Sequence, residues 1–123
     1  MITSLKLTFC DIQIHDHYMI VEVREGEVID AQTNNVLENV ANTHFRNKPF
    51  VYITHRIHSY AVNPSVYEST SKIENLIGFC VVSSNFIAKS NTKIEKLFLQ
   101  KPFGVFDTLA EAIEWANGLL KQP

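Results

Sequence analysis

The densest run of chemically capable side chains is Thr54-His55-Arg56-Ile57-His58-Ser59-Tyr60. His55 and His58 can transfer protons or bind ligands near neutral pH, and the Arg56 guanidinium can grip a carboxylate or phosphate through two parallel hydrogen bonds. A second group, Ser83-Ser84-Asn85, falls at an expected helix start, where backbone N–H groups can face an anion. The candidate ligand-binding residues are therefore Thr54, His55, Arg56, His58, Tyr60, Ser83, Ser84 and Asn85. Each has a plainer reading beside the functional one. Loops carry polar residues that satisfy their own backbone, and serine or asparagine caps helices without any ligand.

Recognised chemistries are mostly missing. His44, His55 and His58 come without C-x-x-C or H-E-x-x-H spacing, so no metal is expected. There is no Gly-x-x-x-x-Gly-Lys or Gly-x-Gly-x-x-Gly phosphate cradle and no Gly-x-Ser-x-Gly nucleophile elbow. No cofactor and no catalytic residue is assigned. His15 and His17 flank Asp16 in a turn, and Glu22, Glu25 and Glu27 border another, so both sets read as solvated surface.

Both candidate groups follow a continuous apolar run, Phe50-Val51-Tyr52-Ile53 and Leu76-Ile77-Gly78-Phe79-Cys80-Val81-Val82. A strand covered on both faces has no solvent side on which to alternate, so these runs read as central parallel strands. Open α/β sheets bind ligands beyond the carboxyl ends of such strands, which is where both groups lie.

The remaining elements form a frame around that pair. Leu5, Leu7, Phe9, Ile12 and Ile14 alternate with polar neighbours as one or two half-exposed edge strands, and His15-Asp16-His17 turns into a strand from Tyr18 to Val23. The two read as an antiparallel hairpin. Asp30 caps a helix with an apolar stripe of Val36, Leu37, Val40, Ala41, His44 and Phe45, which stops before Pro49. Asn63-Pro64 opens a short helix over about residues 65–75. Ser83 or Ser84 starts another, carrying Ile87, Ile94, Leu97 and Phe98. Phe103, Val105 and Phe106 make the last strand. Thr108-Leu109-Ala110-Glu111 then fits a capping box, and Leu109, Ala112, Ile113, Ala116 and Leu120 line the closing helix, with Trp115 at its flank.

With 123 residues, 46% apolar and 20% charged, the chain suits one soluble domain spanning residues 1–123. A net charge of −2 with dispersed basic residues argues against a nucleic-acid partner. No apolar stretch approaches the ~18 residues of a membrane span, so a cytoplasmic location is expected. Cys10 and Cys80 sit inside apolar strand-like segments and read as reduced core thiols.

The order β-β-α-β-α-β-α-β-α resembles the SpoIIAA-like group, which includes STAS domains and small bacterial STAS/SEC14-like proteins. The resemblance rests on three pieces of the chain. These are Gly78-Phe79-Cys80-Val81-Val82-Ser83-Ser84, Lys96-Leu97-Phe98-Leu99, and the tail from Lys101-Pro102-Phe103-Gly104 to Thr108-Leu109-Ala110-Glu111-Ala112-Ile113-Glu114-Trp115. It implies an α/β fold with a mixed sheet, mainly parallel central strands, an N-terminal antiparallel hairpin and helices mostly on one face. STAS antagonists carry a phosphorylatable serine in an Asp-Ser/Thr-Ser/Thr-Gly turn. Here the corresponding stretch is Ala61-Val62-Asn63-Pro64-Ser65-Val66-Tyr67, with Ser65 nearest and both the aspartate and the glycine missing.

The leading expectation is a non-catalytic STAS-like regulatory or protein-interaction module. A homodimer is expected because Leu5, Leu7, Phe9, Met19, Ile20 and Val21 promise apolar surface near a sheet edge. Two other readings are kept: a carrier or sensor of a small apolar or amphipathic ligand, as the SEC14 label suggests, and an enzyme using His55, Arg56 and His58.

Overall fold

The computed structural model describes residues 3–57, 61–63, 65–83, 99 and 101–121. Three helices and eight strands lie within them: β1 (Thr3–Lys6), β2 (Cys10–Ile14), β3 (Tyr18–Val23), β4 (Val28–Ile29), α1 (Ala31–His44), β5 (Phe50–His55), β6 (Ala61–Val62), α2 (Val66–Ser71), β7 (Leu76–Val82), β8 (Phe103–Phe106) and α3 (Leu109–Leu120). The expected helix carrying Ile87, Ile94, Leu97 and Phe98 falls outside the described residues. No described helix is long and apolar enough to cross a membrane.

Six strands form a mixed sheet in the order β1-β2-β3-β5-β7-β8. The N-terminal segment is two strands rather than one, so β1, β2 and β3 make an antiparallel meander, while β3-β5, β5-β7 and β7-β8 all pair in parallel. The two apolar runs are therefore neighbours at the centre. An extra residue, Ile77, enters β7 where Phe50 pairs with Leu76 but Val51 pairs with Gly78. Two residues each of β4 and β6 add a small parallel pair of their own, too short to leave a periodic signature in the sequence.

The central strands are buried on both sides because their alternate residues feed two separate cores. Met19, Val21, Phe50, Phe79 and Val81 pack with Leu37 and Ala41 of α1 and Val66 and Tyr67 of α2. Ile20, Val51, Ile53, Cys80 and Val82 pack with Ala112 and Ala116 of α3. Two helices thus share one face and the C-terminal helix takes the other. Phe45 and Phe50 stack at 4.5 Å where α1 hands over to β5, and Asn47 makes that reversal with a left-handed φ of 57°.

Local chemistry sets the helix ends. The Asp30 side chain accepts from Thr33 N at 3.0 Å while the Asp30 N–H donates to Thr33 Oγ1 at 2.9 Å, and Thr108 and Glu111 form the same reciprocal box on α3. Some expectations are corrected. In α1, Val36 and His44 are exposed and the polar Asn34 is buried instead, because α2 offers Asn34 partners. α2 stops at Ser71, and its capping residue is Ser65, whose N–H donates to Asn63 Oδ1 at 3.1 Å. Leu119 rather than Leu120 joins the core under α3.

The apolar surface expected near the sheet edge is largely absent, since Phe9, Met19, Ile20 and Val21 are all buried within the chain. Their sequence neighbourhood marked an edge, but β3 lies two strands in from β1 and carries helices on both faces. Cys10 and Cys80 are free, fully buried and in different cores, one on each side of the sheet.

Candidate functional site

The carboxyl ends of β3, β5 and β7 bring together most of the described candidate residues. In the β3-β5 register Val21 pairs with Thr54, so Glu22 comes beside His55 on the α3 side of the sheet. The pleat then sends Thr54 and Arg56 to the opposite side, toward α1 and α2. The Thr-His-Arg run is thereby divided between two faces and cannot act as a single cluster.

His55 Nδ1 is withdrawn from solvent and lies 3.3 Å from Glu22 Oε1, at an angle that is not that of a hydrogen bond. The pair becomes an ion pair when the imidazole is protonated. On the next strand Asp11 faces Glu22 directly, an arrangement of like charges that costs free energy unless it is compensated. Arg24 compensates it: one guanidinium nitrogen lies 2.8 Å from Asp11 Oδ1, and the other donates to the Leu7 carbonyl.

On the other side, the Arg56 N–H donates to the Val82 carbonyl at 2.8 Å, and its Nη2 donates to the Tyr67 hydroxyl at 3.2 Å. The Tyr67 ring is buried edge-on against Phe79 with centroids 5.4 Å apart. Arg56 is thus anchored at its backbone and at its tip, with its guanidinium only partly exposed. Next to it, Ile57 is 56% exposed.

Thr54 and Ser83 are both buried, so their hydroxyls belong to the interior rather than to a solvent-facing anion site. Ser83 also continues the sheet, its N–H donating to the Phe106 carbonyl at 3.0 Å. His58, Tyr60, Ser84 and Asn85 lie outside the described residues. Ser65 is exposed, and its hydroxyl donates to Asn63 Oδ1 at 2.9 Å, a local turn contact. Among the described residues, no three His, Cys, Asp or Glu side chains converge as metal ligands would.

A chamber of about 20 Å³ lies between α1, α2 and the sheet, with Asn34, Thr54, Tyr67 and Thr70 among its walls and Leu37 and Phe79 among its apolar lining. Small-molecule sites usually enclose about 300–1,000 Å³. This one is the size of a single water.

Three partners in the site escaped sequence reasoning: Glu22, Tyr67 and Asn34. Glu22 was visible only as part of a turn cluster, and its place beside His55 needs the strand register. Tyr67 and Asn34 matter because α2 folds back over α1, which no local pattern announces.

No protein-family model and no curated protein matches the sequence. Among solved structures, the chain is similar to an uncharacterised protein of the DUF3478 family from Shewanella loihica PV-4. The TM-score is 0.56 with 10% identity, over 94% of this chain and 92% of that one. The chain has the SpoIIAA-like fold. At that identity the likeness extends to architecture and not to residues, because a fold hosts many activities. Within the SpoIIAA-like frame, the Glu22–His55 and Arg56–Tyr67 contacts belong to this chain's own sequence and are read from its own geometry.

Proposed function

We propose that this chain is a non-catalytic regulatory or protein-interaction module that engages a protein partner at the carboxyl ends of β3 and β5. The carrying observation is the exposed Ile57 beside the anchored Arg56. Arginine is enriched at interface centres, and the exposed Ile57 beside it adds apolar area that a partner can bury. Arg56 loses little rotamer freedom on binding because Tyr67 already holds it.

The polar groups here favour recognition over chemistry. The described hydroxyls at the strand ends, those of Thr54 and Ser83, are buried, and His55 faces the Glu22 carboxylate. The chamber between α1, α2 and the sheet is itself too small for an acyl chain.

Photo-crosslinking in cells tests the proposal. A photoreactive residue at position 57 should yield one discrete protein adduct that disappears in Arg56→Ala, while the same residue at position 6 should not yield it. An adduct of twice the chain mass would identify the partner as a second copy. Absence of an adduct from position 57, or the same adducts from both positions, would overturn the proposal. So would a small molecule retained in native mass spectrometry, which would favour the carrier.

A further inference from the structure

We propose that the chamber beneath α2 binds one water molecule, which joins the Asn34 amide to the neighbouring threonine and tyrosine hydroxyls. The volume of about 20 Å³ exceeds the roughly 10–15 Å³ that one water requires. The walls carry enough polar groups to hold it, since Asn34, Thr54, Tyr67 and Thr70 all border the space. A water with two to four such partners is stable in a protein interior.

Asn34 is the residue it serves. The residue is 8% exposed and sits in the first turn of α1, facing α2. Its Nδ2 faces three acceptors for two protons, and all are at the long end of hydrogen-bond distance: Glu38 Oε2 at 3.3 Å, Thr70 Oγ1 at 3.3 Å and the Val66 carbonyl at 3.5 Å. Its Oδ1 receives no hydrogen bond from the described residues. A water in the adjoining chamber supplies an O–H to this oxygen. Exchanging the amide oxygen and nitrogen would set an acceptor against the Glu38 carboxylate and the Val66 carbonyl, so the nitrogen is the atom that faces them.

This water extends the polar contact between the two helices. Ser69 of α2 donates to Glu38 Oε2 of α1 at 2.9 Å on the outer side, and the chamber lies on the inner side, reaching Thr54 of β5 two residues before Arg56. The inference is independent of what binds at Ile57.

Oxygen-17 relaxation dispersion counts long-lived internal waters, and the wild-type protein should show one more than Asn34→Leu. A high-resolution crystal structure of the wild type should show that water within hydrogen-bond distance of Asn34, which decides the matter even if the variant fails to fold. Equal counts in the two proteins would overturn the inference. So would a wild-type chamber without water density, or one that takes up xenon under pressure as a dry cavity does.

Discussion

His15 stacks on Tyr18 with ring centroids 4.3 Å apart, and the burial this brings holds the imidazole below its usual 6.5. The folded state therefore prefers the neutral ring. With a folded pKa below the unfolded one, the unfolded chain binds the proton more readily. The stabilisation is fully present above about pH 6.5 and is lost as pH falls through the lower folded value. In urea unfolding, the stability difference between wild type and His15→Gln should shrink from pH 7.5 to pH 5. A difference that stays constant or grows toward acid would contradict this assignment. The chemistry of His15 was invisible in sequence because it depends on the ring's neighbour across the turn rather than on the His-x-His spacing.

At the scale of the element, α3 shows which features a sequence discloses and which it hides. Its start was legible, since the Thr108–Glu111 box is a local pattern with a local cause. Its seat on the sheet was not. α3 approaches closely because Ala112 and Ala116 present small faces and because Gly78 and Gly104 leave room for Trp115 and Leu119. A Cβ at position 78 would come within 2.6 Å of Leu119 Cδ1 and 3.1 Å of Trp115 Cη2. Gly78→Ala should therefore destabilise the protein by about 1 kcal/mol, the low end of overpacking, because the Leu119 methyl can swing aside while the Trp115 ring must shift. Adding Leu119→Ala should recover part of that loss, because the two sites then couple. A neutral Gly78→Ala, or a penalty untouched by Leu119→Ala, would mean that α3 sits elsewhere. Asn34 teaches the same lesson from the other face. Helical periodicity selected Val36 and His44 for the α1 stripe, but the neighbouring α2 rewards a polar residue one turn before Leu37.

Across the whole molecule, the centre was more legible than the edges. Continuous apolar runs reported that β5 and β7 are covered above and below, whereas alternation left β1 and β2 open as one or two strands and the β4-β6 pair passed unnoticed because each contributes two residues. The candidate site was legible as a location and only partly as an arrangement. Thr54, His55 and Arg56 do stand at strand ends, but alternation divides them between faces and assigns them Glu22 and Tyr67 as partners. That division keeps Thr54, His55 and Arg56 from forming one cluster, and among the described residues both faces of the central strands are filled.

The two cysteines report on that arrangement directly. Cys10 lies in the core beneath α1 and α2, and Cys80 in the core beneath α3, both fully buried. Burial pushes each thiol up to about 12, so neither supplies the reactive thiolate near neutral pH. The decisive measurement is the rate of alkylation at each cysteine by a thiol reagent at pH 8, followed by mass spectrometry across a urea series. Both sites should stay unmodified in the native protein and become reactive together, at the concentration where the whole domain unfolds. Rapid native labelling of either cysteine, or exposure of one well before the other, would show that a face of the central sheet is open and would contradict the account.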